Sequence, residues 1–255
     1  MGNYTDINAK AVDSWVEGGW EWGIPISPEA FQKVREGEWN LDLSPTKKVP
    51  HKWLAPYLKE GKLTGCKVLG LASGGGQQMP IFAALGADCT VLDYSEKQVE
   101  NERIVSRREG YEIDIIRGDM TQPLPFEDAS FDIVFHPISN CYVEDVQSIW
   151  HECFRVLKSG GLLLAGLDNG INYLFEDENP FVVVNKLPYN PLKDPVLYEK
   201  SVANNWGIQF SHTMEDQIGG QLRAGFMLTD LYEDGDGVGV GAHYPQFVIT
   251  RALKP

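Results

Sequence analysis

The strongest chemical signal is a glycine-rich turn that follows a short apolar run. Residues 68–77 read VLGLASGGGQ, which predicts a strand, a tight turn and the start of a helix. Glycines let a ligand approach the backbone, and a helix N-terminus presents free N–H groups to a negative charge. Any single glycine could serve the turn alone, but Gly74, Gly75 and Gly76 together favour a nucleotide-like ligand.

An acidic residue follows at the spacing of a ribose-binding carboxylate. Asp93 ends the second apolar run, 17 positions after Gly76, where a carboxylate can accept both hydroxyls of an adenosine ribose. Such charge-assisted hydrogen bonds contribute about 1.5–3 kcal/mol each. The alternative role of capping the next helix fits Ser95 better by position. This spacing is typical of both dinucleotide-dependent enzymes and methyltransferases.

Three later motifs separate those two classes. Arg117-Gly-Asp-Met120 closes a third predicted strand, residues 122–135 lead through a fourth, and residues 154–165 read FRVLKSGGLLLA. With the glycine-rich turn and Asp93, they resemble class I S-adenosylmethionine (SAM)-dependent methyltransferases of the small-molecule type (methyltransferase domain 11/25-like). The resemblance covers residues 66–167 in detail. Each motif alone is weak, whereas the set in this order and spacing is strong.

The resemblance implies a role for each matching position. Gly74 and Gly76 match the loop glycines that run past the methionine part of SAM. Asp93 matches the ribose-binding acid, Tyr94 lies beside the adenine, and Asp119 matches the acid that bonds the adenine amino group. The implied cofactor site, with no metal, comprises Gly70, Ala72, Ser73, Gly74, Gly76, Gln77, Asp93, Tyr94, Ser95, Gln98, Gly118, Asp119, Met120, His136 and Ile138.

The first strand and its turn depart from the family pattern. Gly70 stands where the family usually has an acidic residue, and Ala72 stands where the first loop glycine is expected. Losing the acid removes one partner for the amino group of SAM. A group from the N-terminal residues is the candidate replacement.

Short apolar runs alternate with helical patterns, which predicts βαβ units and a parallel, doubly wound α/β sheet. The resemblance implies seven mostly parallel strands with the last antiparallel. We expect one methyltransferase domain over residues 1–255. Its predicted parts are a helical lid (1–50), a cofactor-binding core (51–167), a substrate-side insertion between the fifth strand and the late helix (168–212), and a C-terminal helix and strand pair (213–255). The predicted strands are 67–72, 88–93, 112–117, 130–135, 161–167, 227–233 and 246–252, and the predicted helices are 6–16, 51–59, 77–85, 95–109, 143–157 and 213–224.

Two aromatic-rich segments flank the core. Five of the seven tryptophans precede residue 54, and a disordered tail would not carry them. These tryptophans either pack the N-terminal segment, residues 1–50, which we call the leader, onto the core, or they form a lid over a ligand. Residues 168–210 show prolines, aromatics and no sustained period, which predicts a functional irregular segment. The expected substrate pocket is built from Tyr4, Trp20, Trp22, Tyr173, Phe175, Phe181, Tyr189 and Trp206, although about half of such rings belong to the core by ordinary burial.

Methyl transfer is an in-line displacement in which positioning supplies most of the effect, and a general base helps a hydroxyl or protonated amine. His136, at the end of the fourth strand, is the candidate base. Asn140 and Tyr142 could orient a substrate, and His212 is another candidate. The alternatives are a structural role for each histidine and helix capping for Asn140.

Charge and cysteine content exclude several partners. A net charge of -14 and a pI of about 4.7 argue against nucleic acid and anionic membranes. We expect a small-molecule substrate, and the absence of a signal or long apolar run predicts a cytoplasmic protein. The cysteines lack metal spacing and are predicted to be reduced packing residues, with a reactive Cys141 as the alternative. The four are Cys66, Cys89, Cys141 and Cys153.

Two other functions compete with SAM-dependent methyl transfer to a small molecule. A nicotinamide-dependent oxidoreductase predicts a GxGxxG loop, which residues 72–76, ASGGG, fit poorly. A non-catalytic SAM-binding or sensing protein would show the same motifs, because methyl transfer needs no diagnostic residue.

Overall fold

A computed structural model describes residues 3–178 and 181–255, and strands within these ranges form one large sheet and one hairpin. The strands are β1 (Lys67–Leu71), β2 (Asp88–Asp93), β3 (Asp114–Arg117), β4 (Phe131–His136), β5 (Leu157–Asp168), β6 (Phe175–Glu178), β7 (Phe181–Val183), β8 (Met227–Asp234) and β9 (Phe247–Leu253). The seven-stranded sheet has the order β3-β2-β1-β4-β5-β9-β8, and β6 pairs with β7. Strand β9 runs antiparallel to both β5 and β8, whereas β1 to β5 pair in parallel. The predicted mostly parallel sheet with an antiparallel last strand is confirmed.

Helices cover both faces of this sheet. They are α1 (Tyr4–Glu17), α2 (Pro28–Arg35), α3 (Met79–Ala84), α4 (Glu96–Glu109), α5 (Val146–Val156), α6 (Pro195–Ala203) and α7 (Gly220–Ala224), the last preceded by a π turn at Glu215–Gly219. One apolar core joins α2 and α3 to the sheet through Val34 and Phe82. A second joins α5 through Ile149 and Trp150. Because both faces are covered, the central strands are continuous apolar runs.

The predicted helix at 51–59 is wrong. The structure has two 3₁₀ turns there, His51–Trp53 and Ala55–Tyr57. Pro56 has no N–H to donate to the carbonyl four residues earlier, so an α-helix cannot continue through it. The apolar side chains of Trp53 and Leu54 are nevertheless buried, as the pattern predicted.

The segment 168–210 is more regular than predicted. It contains the β6–β7 hairpin and helix α6. Helix α6 begins where the Asp194 carboxylate accepts the N–H groups of Val196 at 2.9 Å and Leu197 at 3.2 Å. Pro195 occupies the first turn, where its missing N–H has no cost. Two prolines in this segment, Pro191 and Pro195, therefore each begin a helical element.

The structure also bears on the expectations about membrane spans and about the cysteines. Among the described residues, no helix combines the length and apolar character needed to cross a bilayer. Cys66, Cys89, Cys141 and Cys153 are all buried and free. Burial raises the pKa of the Cys141 thiol, which disfavours the reactive thiolate that the alternative required.

Candidate active site

A cavity of about 620 Å³ lies at the carboxyl edge of the parallel strands. The residues that follow β1, β2 and β4, namely Ala72, Tyr94 and Pro137, line it, together with Asp168 at the end of β5. Ligands of doubly wound sheets bind at this edge, and the volume is that of a small-molecule site.

The glycine-rich turn approaches Asp93 closely at one end of the cavity. The Gly74 N–H donates to Asp93 Oδ2 at 2.9 Å. A Cβ on Gly74 would lie 2.9 Å from that same oxygen and 2.7 Å from Gln98 Cβ. Glycine is therefore required at position 74 for the turn to lie against the carboxylate.

Asp93 lines the cavity with its carboxylate held by backbone donors. Its Oδ1 accepts the Ser95 N–H at 3.0 Å, and burial raises the pKa of Asp93. Each carboxylate oxygen has a second lone pair, so both can still accept a ligand hydroxyl. Helix α4 is capped by Ser95, whose Oγ accepts the Gln98 N–H at 3.1 Å, so the capping alternative for Asp93 is wrong.

The turn after β3 forms the neighbouring wall. Gly118, Asp119 and Met120 line the cavity. Asp119 Oδ1 accepts the Thr121 N–H at 2.9 Å and its hydroxyl at 2.7 Å, which leaves Asp119 Oδ2 without a hydrogen bond among the described residues. A free carboxylate oxygen beside the Met120 side chain suits an adenine with its amino group.

Most residues that the resemblance implied for the cofactor lie in this cavity wall. They are Ala72, Ser73, Gly74, Gln77, Asp93, Tyr94, Ser95, Gln98, Gly118, Asp119, Met120 and Ile138. Gly70, Gly76 and His136 do not line it. The close glycine–carboxylate contact and the free acceptor of Asp119 fit an adenosine with a flexible tail, as SAM has.

Gly76 is turned away from the cavity, against α4. Its N–H donates at 2.7 Å to Glu102 Oε1, and the Glu102 side chain is fully buried. Burial raises the pKa of Glu102 to about 8. A Cβ on Gly76 would lie 2.7 Å from Val105 Cγ2, so this glycine shapes the turn from behind and the expected ligand contact is wrong.

Gly70 lies within β1, where another side chain fills the space of the missing acid. A Cβ on Gly70 would lie 2.5 Å from Met79 Sδ and 3.2 Å from Ser73 Cβ. The expectation that Gly70 itself contacts the cofactor is therefore corrected.

His136 is buried beneath the cavity instead of facing it. Its Nδ1 lies 2.9 Å from the Leu71 carbonyl oxygen and its Nε2 lies 2.8 Å from Asn140 Oδ1. The Asn140 amide in turn donates to Gln217 Oε1 at 2.8 Å, and burial lowers the pKa of His136. With both ring nitrogens engaged and no exposure, His136 is a structural residue, and its predicted role as base facing the methyl group is wrong.

Three predicted substrate residues also lie outside the cavity wall. Asn140 is held between His136 and Gln217 and does not cap α5, which begins at Val146 with Asp145 as its cap. His212 Nε2 lies 3.0 Å from the Asn140 carbonyl oxygen. The Tyr4 hydroxyl accepts the Glu144 N–H at 3.2 Å. These three side chains are engaged in structure, so the predictions that they bind substrate are corrected.

Aromatic side chains make up much of the rest of the cavity wall. Trp20 and Trp22 come from the leader, and the Trp22 carbonyl accepts a hydrogen bond from Gln98 Nε2 at 3.2 Å, beside the glycine-rich turn. Tyr142 follows β4. The insertion adds Tyr173 and Tyr189, whose stacked ring centroids lie 5.1 Å apart, and also Phe175 and Trp206. Phe181 packs against Phe175 at 5.3 Å and does not line the cavity. Trp39 and Trp53 are buried in the core, as the packing interpretation predicts. The lid over a ligand stays a prediction for Trp20 and Trp22.

Asn8 ties the leader to the insertion at the cavity wall. Its Nδ2 donates to the Ile208 carbonyl at 2.9 Å, and its Oδ1 accepts the Ile208 N–H at 2.6 Å. Trp15 Nε1 donates to the Asn205 carbonyl at 2.9 Å. We call these contacts the Asn8 clasp. On its other side α1 is held by Asp13 Oδ1, which accepts the Ser95 hydroxyl at 2.6 Å.

Three acids in the cavity wall were missed from the sequence, namely Asp42, Asp168 and Glu176. Asp42 comes from the leader, where its N–H donates to Gln78 Oε1 at 2.9 Å and its carboxylate pairs with Lys48 at 2.6 Å. Asp168 ends β5, and burial raises its pKa to about 6. Nothing in the sequence marks Asp42, whereas the position of Asp168 at the end of a predicted strand could have identified it.

The core matches a known sequence family. Residues 69–165 match the family described as methyltransferase domain. The uncharacterized methyltransferase YbaJ of Bacillus subtilis is 39% identical over 253 residues, which cover 97% of each chain. The chain belongs to the class I SAM-dependent methyltransferases. This membership overturns the nicotinamide-dependent alternative.

Other methyltransferases resemble the chain over most of its length. The demethylmenaquinone methyltransferase of Lactococcus lactis is 27% identical over 80% of this chain and 81% of its own. A solved SAM-dependent methyltransferase from Mesorhizobium loti is 20% identical, with a TM-score of 0.61, and covers 78% of this chain and 95% of that one. The latter likeness shows the methyltransferase fold.

Proposed function

We propose that this methyltransferase transfers the methyl group of SAM to a small molecule that binds between the leader and the insertion. The observation that carries the proposal is one cavity whose wall combines carboxylates and a glycine-rich turn with many aromatic side chains. Asp93 and Asp119 offer hydrogen-bond acceptors to a nucleoside, while the tryptophans and tyrosines suit an apolar or planar acceptor.

The chain's own residues would divide the work of binding and orientation. Asp93 would accept the ribose hydroxyls, and Asp119 Oδ2 the adenine amino group. When bound, SAM supplies a methyl group on a positively charged sulfur. The aromatic wall would exclude water from that sulfur and hold the acceptor in line with it, which is where most of the rate enhancement of such a transfer arises.

Asp42 is the group we propose for the amino end of SAM. Met79 fills the space beside Gly70, so no acid can act from β1. Asp42 brings a carboxylate from the leader into the same cavity, beside Gln78 in the turn before α3. The ammonium of SAM would join or replace Lys48 at this carboxylate, because the Lys48 side chain is half exposed and an ion pair with an exposed partner is weak.

The acceptor is proposed to be a small molecule with a ring or an apolar body. The aromatic lining supports this class, and so does the likeness to a methyltransferase named for demethylmenaquinone. The charged surface of a nucleic acid would meet five acidic side chains and a single lysine in the cavity wall.

Calorimetric titration of the full chain with SAM, S-adenosylhomocysteine and NAD tests the proposal. We expect binding of SAM and of S-adenosylhomocysteine and none of NAD. Incubation with SAM and a set of quinols and phenols should then release S-adenosylhomocysteine. Tight binding of SAM without turnover on any acceptor would favour the sensing alternative, and absence of SAM binding would contradict the proposal.

A further inference from the structure

Asp168 presents a carboxylate to the cavity that the binding of SAM does not use. Its Oδ1 accepts the Gly170 N–H. The next residue, Asn169, turns away, because its amide donates to the Pro245 carbonyl at 2.8 Å and its oxygen accepts the Ile171 N–H at 3.1 Å. Asp168 therefore lines the cavity while its neighbour serves the loop.

The second oxygen of Asp168 is available to a ligand. Asp168 Oδ2 has no hydrogen bond to any described residue, and the titratable groups that face the carboxyl are Cys141, Tyr142 and Tyr173. The cavity's lysine, Lys200, is bonded to Glu176 instead. Burial raises the pKa of Asp168 to about 6, so near neutral pH it is a carboxylate without a cation, the state of a general base.

We propose that Asp168 is the general base of this methyltransferase and that the methyl acceptor is an aromatic or enolic hydroxyl. The proposal rests on the proposed function. Asp168 lines the cavity together with Pro137 and Ile138, which follow β4, and with the aromatic wall formed by Tyr142 and Tyr173. The carboxyl faces these two tyrosines. A ring seated on that wall would bring a substituent to the carboxylate.

The chemical step balances with the groups named. The acceptor oxygen forms a bond to the methyl carbon as the bond from that carbon to sulfur breaks, and the electron pair of that bond stays on sulfur. The hydroxyl proton moves to Asp168 Oδ2 and then to solvent. The sulfonium becomes a neutral thioether, and no oxidant or reductant is required.

A hydroxyl fits this position better than an amine. A protonated amine would place a second cation beside the sulfonium, where like charges at close range in a dry site repel strongly. A neutral hydroxyl brings no charge and donates directly to the carboxylate. The raised pKa of Asp168 also narrows the gap to the pKa of a phenol, about 10.

The test uses the full chain loaded with S-adenosylhomocysteine and the probe 4-nitrophenol, whose absorbance distinguishes phenol from phenolate. Asp168→Asn keeps an oxygen for the Gly170 N–H but cannot take a proton. Asp168→Ser offers a hydroxyl to the same N–H if the first variant is unstable. The matched control is Asp114→Asn, which alters an exposed acid at the far edge of the sheet, at the start of β3.

We expect the neutral form of 4-nitrophenol to bind to the wild-type protein and to the Asp114→Asn variant. In both proteins the pKa of the bound probe should be about one unit or more higher than in Asp168→Asn, because a nearby carboxylate disfavours the phenolate. Methyl transfer to a reactive phenol should fall by about 100-fold in Asp168→Asn, while affinity for S-adenosylhomocysteine stays within about threefold, which shows that the site is intact.

Three results would overturn the proposal. The first is that 4-nitrophenol does not bind to the wild-type protein. The second is that the pKa of the bound probe is the same in Asp168→Asn as in the wild-type protein. The third is that benzylamine binds more tightly than 4-nitrophenol and loses this affinity in Asp168→Asn. Failure of the wild-type protein to bind SAM would instead contradict the proposed function, so the two failures are distinguishable.

Discussion

At the scale of single residues, Asp93 and Asp42 are proposed to hold opposite ends of SAM. The ligand 5′-methylthioadenosine keeps the nucleoside but lacks the amino and carboxyl groups, so it separates the two contacts. Asp93→Ala should weaken both ligands by about 10-fold to 100-fold, because charge-assisted bonds to the ribose are lost. Asp42→Asn should weaken SAM alone.

Calorimetric dissociation constants for both ligands check this prediction, with Asp114→Asn as the control. Equal loss of both ligands in Asp42→Asn would mean that the leader acid supports the fold instead of the amino group. Unchanged SAM affinity in Asp93→Ala would remove the ribose assignment.

Glu102 predicts a pH dependence of stability. Its pKa is about 8 in the folded chain against an ordinary value of 4.5. Between these values the unfolded chain has released the proton and the folded chain retains it, so stability falls as pH rises from about 4.5 to about 8. Glu102→Gln keeps the acceptor for the Gly76 N–H and removes the titration, and its stability should fall less over this window.

Urea unfolding at several pH values measures the effect, with the exposed Glu127→Gln as control. Asp168, whose pKa rises from 3.8 to about 6, contributes in the same direction in both proteins. The difference between wild type and Glu102→Gln therefore reports Glu102 and should reach its full size at about pH 8. Parallel stability curves for wild type and Glu102→Gln would contradict the assignment.

His136 and Asp168 show what a strand-end position can and cannot predict. Both end neighbouring strands, and the sequence correctly places such residues at the ligand edge. Alternate side chains of a strand point to opposite faces, so the position does not establish that a side chain reaches the cavity. His136 is instead held by Leu71 and Asn140, contacts that depend on β1 and on the turn after β4.

At the scale of elements, the Asn8 clasp joins α1 to the insertion over 200 residues of chain. Asn8→Ala would leave the buried N–H and carbonyl of Ile208 unpaired, which costs about 1–3 kcal/mol for each group. We expect the leader and the segment around Ile208 to open together, with amide exchange about 10-fold to 100-fold faster in both.

Hydrogen–deuterium exchange followed by mass spectrometry measures the opening, and Lys10→Ala on the exposed side of α1 is the control. Faster exchange confined to α1 would show that the insertion is held by other contacts. Exchange unchanged in both segments would contradict a role for the clasp.

The core elements could be predicted because their signals are local. Strands β1, β2 and β4 are short apolar runs, and their observed bounds lie within about one residue of those predicted. The existence of strongly patterned elements is the most predictable feature of a fold. The leader's path could not be predicted. The contact of Asp42 with Gln78 spans 36 residues, and no local pattern states which segment crosses the sheet edge.

At the scale of the whole molecule, the net charge of -14 should act on ligand association. The cavity wall carries Asp42, Asp93, Asp119, Asp168 and Glu176 against Lys200. SAM has a net positive charge, whereas S-adenosylhomocysteine has none, so the two ligands form a matched pair. Raising the salt from about 20 to about 200 mM should slow association of SAM much more than that of S-adenosylhomocysteine.

Stopped-flow tryptophan fluorescence can follow both reactions, since Trp20 and Trp22 line the cavity. Equal salt dependence for the two ligands would show that the negative field does not steer the cation. The net negative charge, which argued against nucleic-acid binding, would then contribute to solubility only.

The contact between Gly70 and Met79 has a consequence for how this chain can diverge. An acid at position 70 would overlap the methionine sulfur, since even a Cβ would lie 2.5 Å from it. If position 70 is replaced first, the new side chain overlaps Met79. If Met79 is replaced first by a smaller residue, glycine at position 70 leaves a void in the core. Either order of substitution therefore passes through a less stable intermediate. Single substitutions therefore do not readily introduce an acid at position 70. If Asp42 holds the amino group of SAM, as proposed, descendants of this sequence are expected to keep that acid.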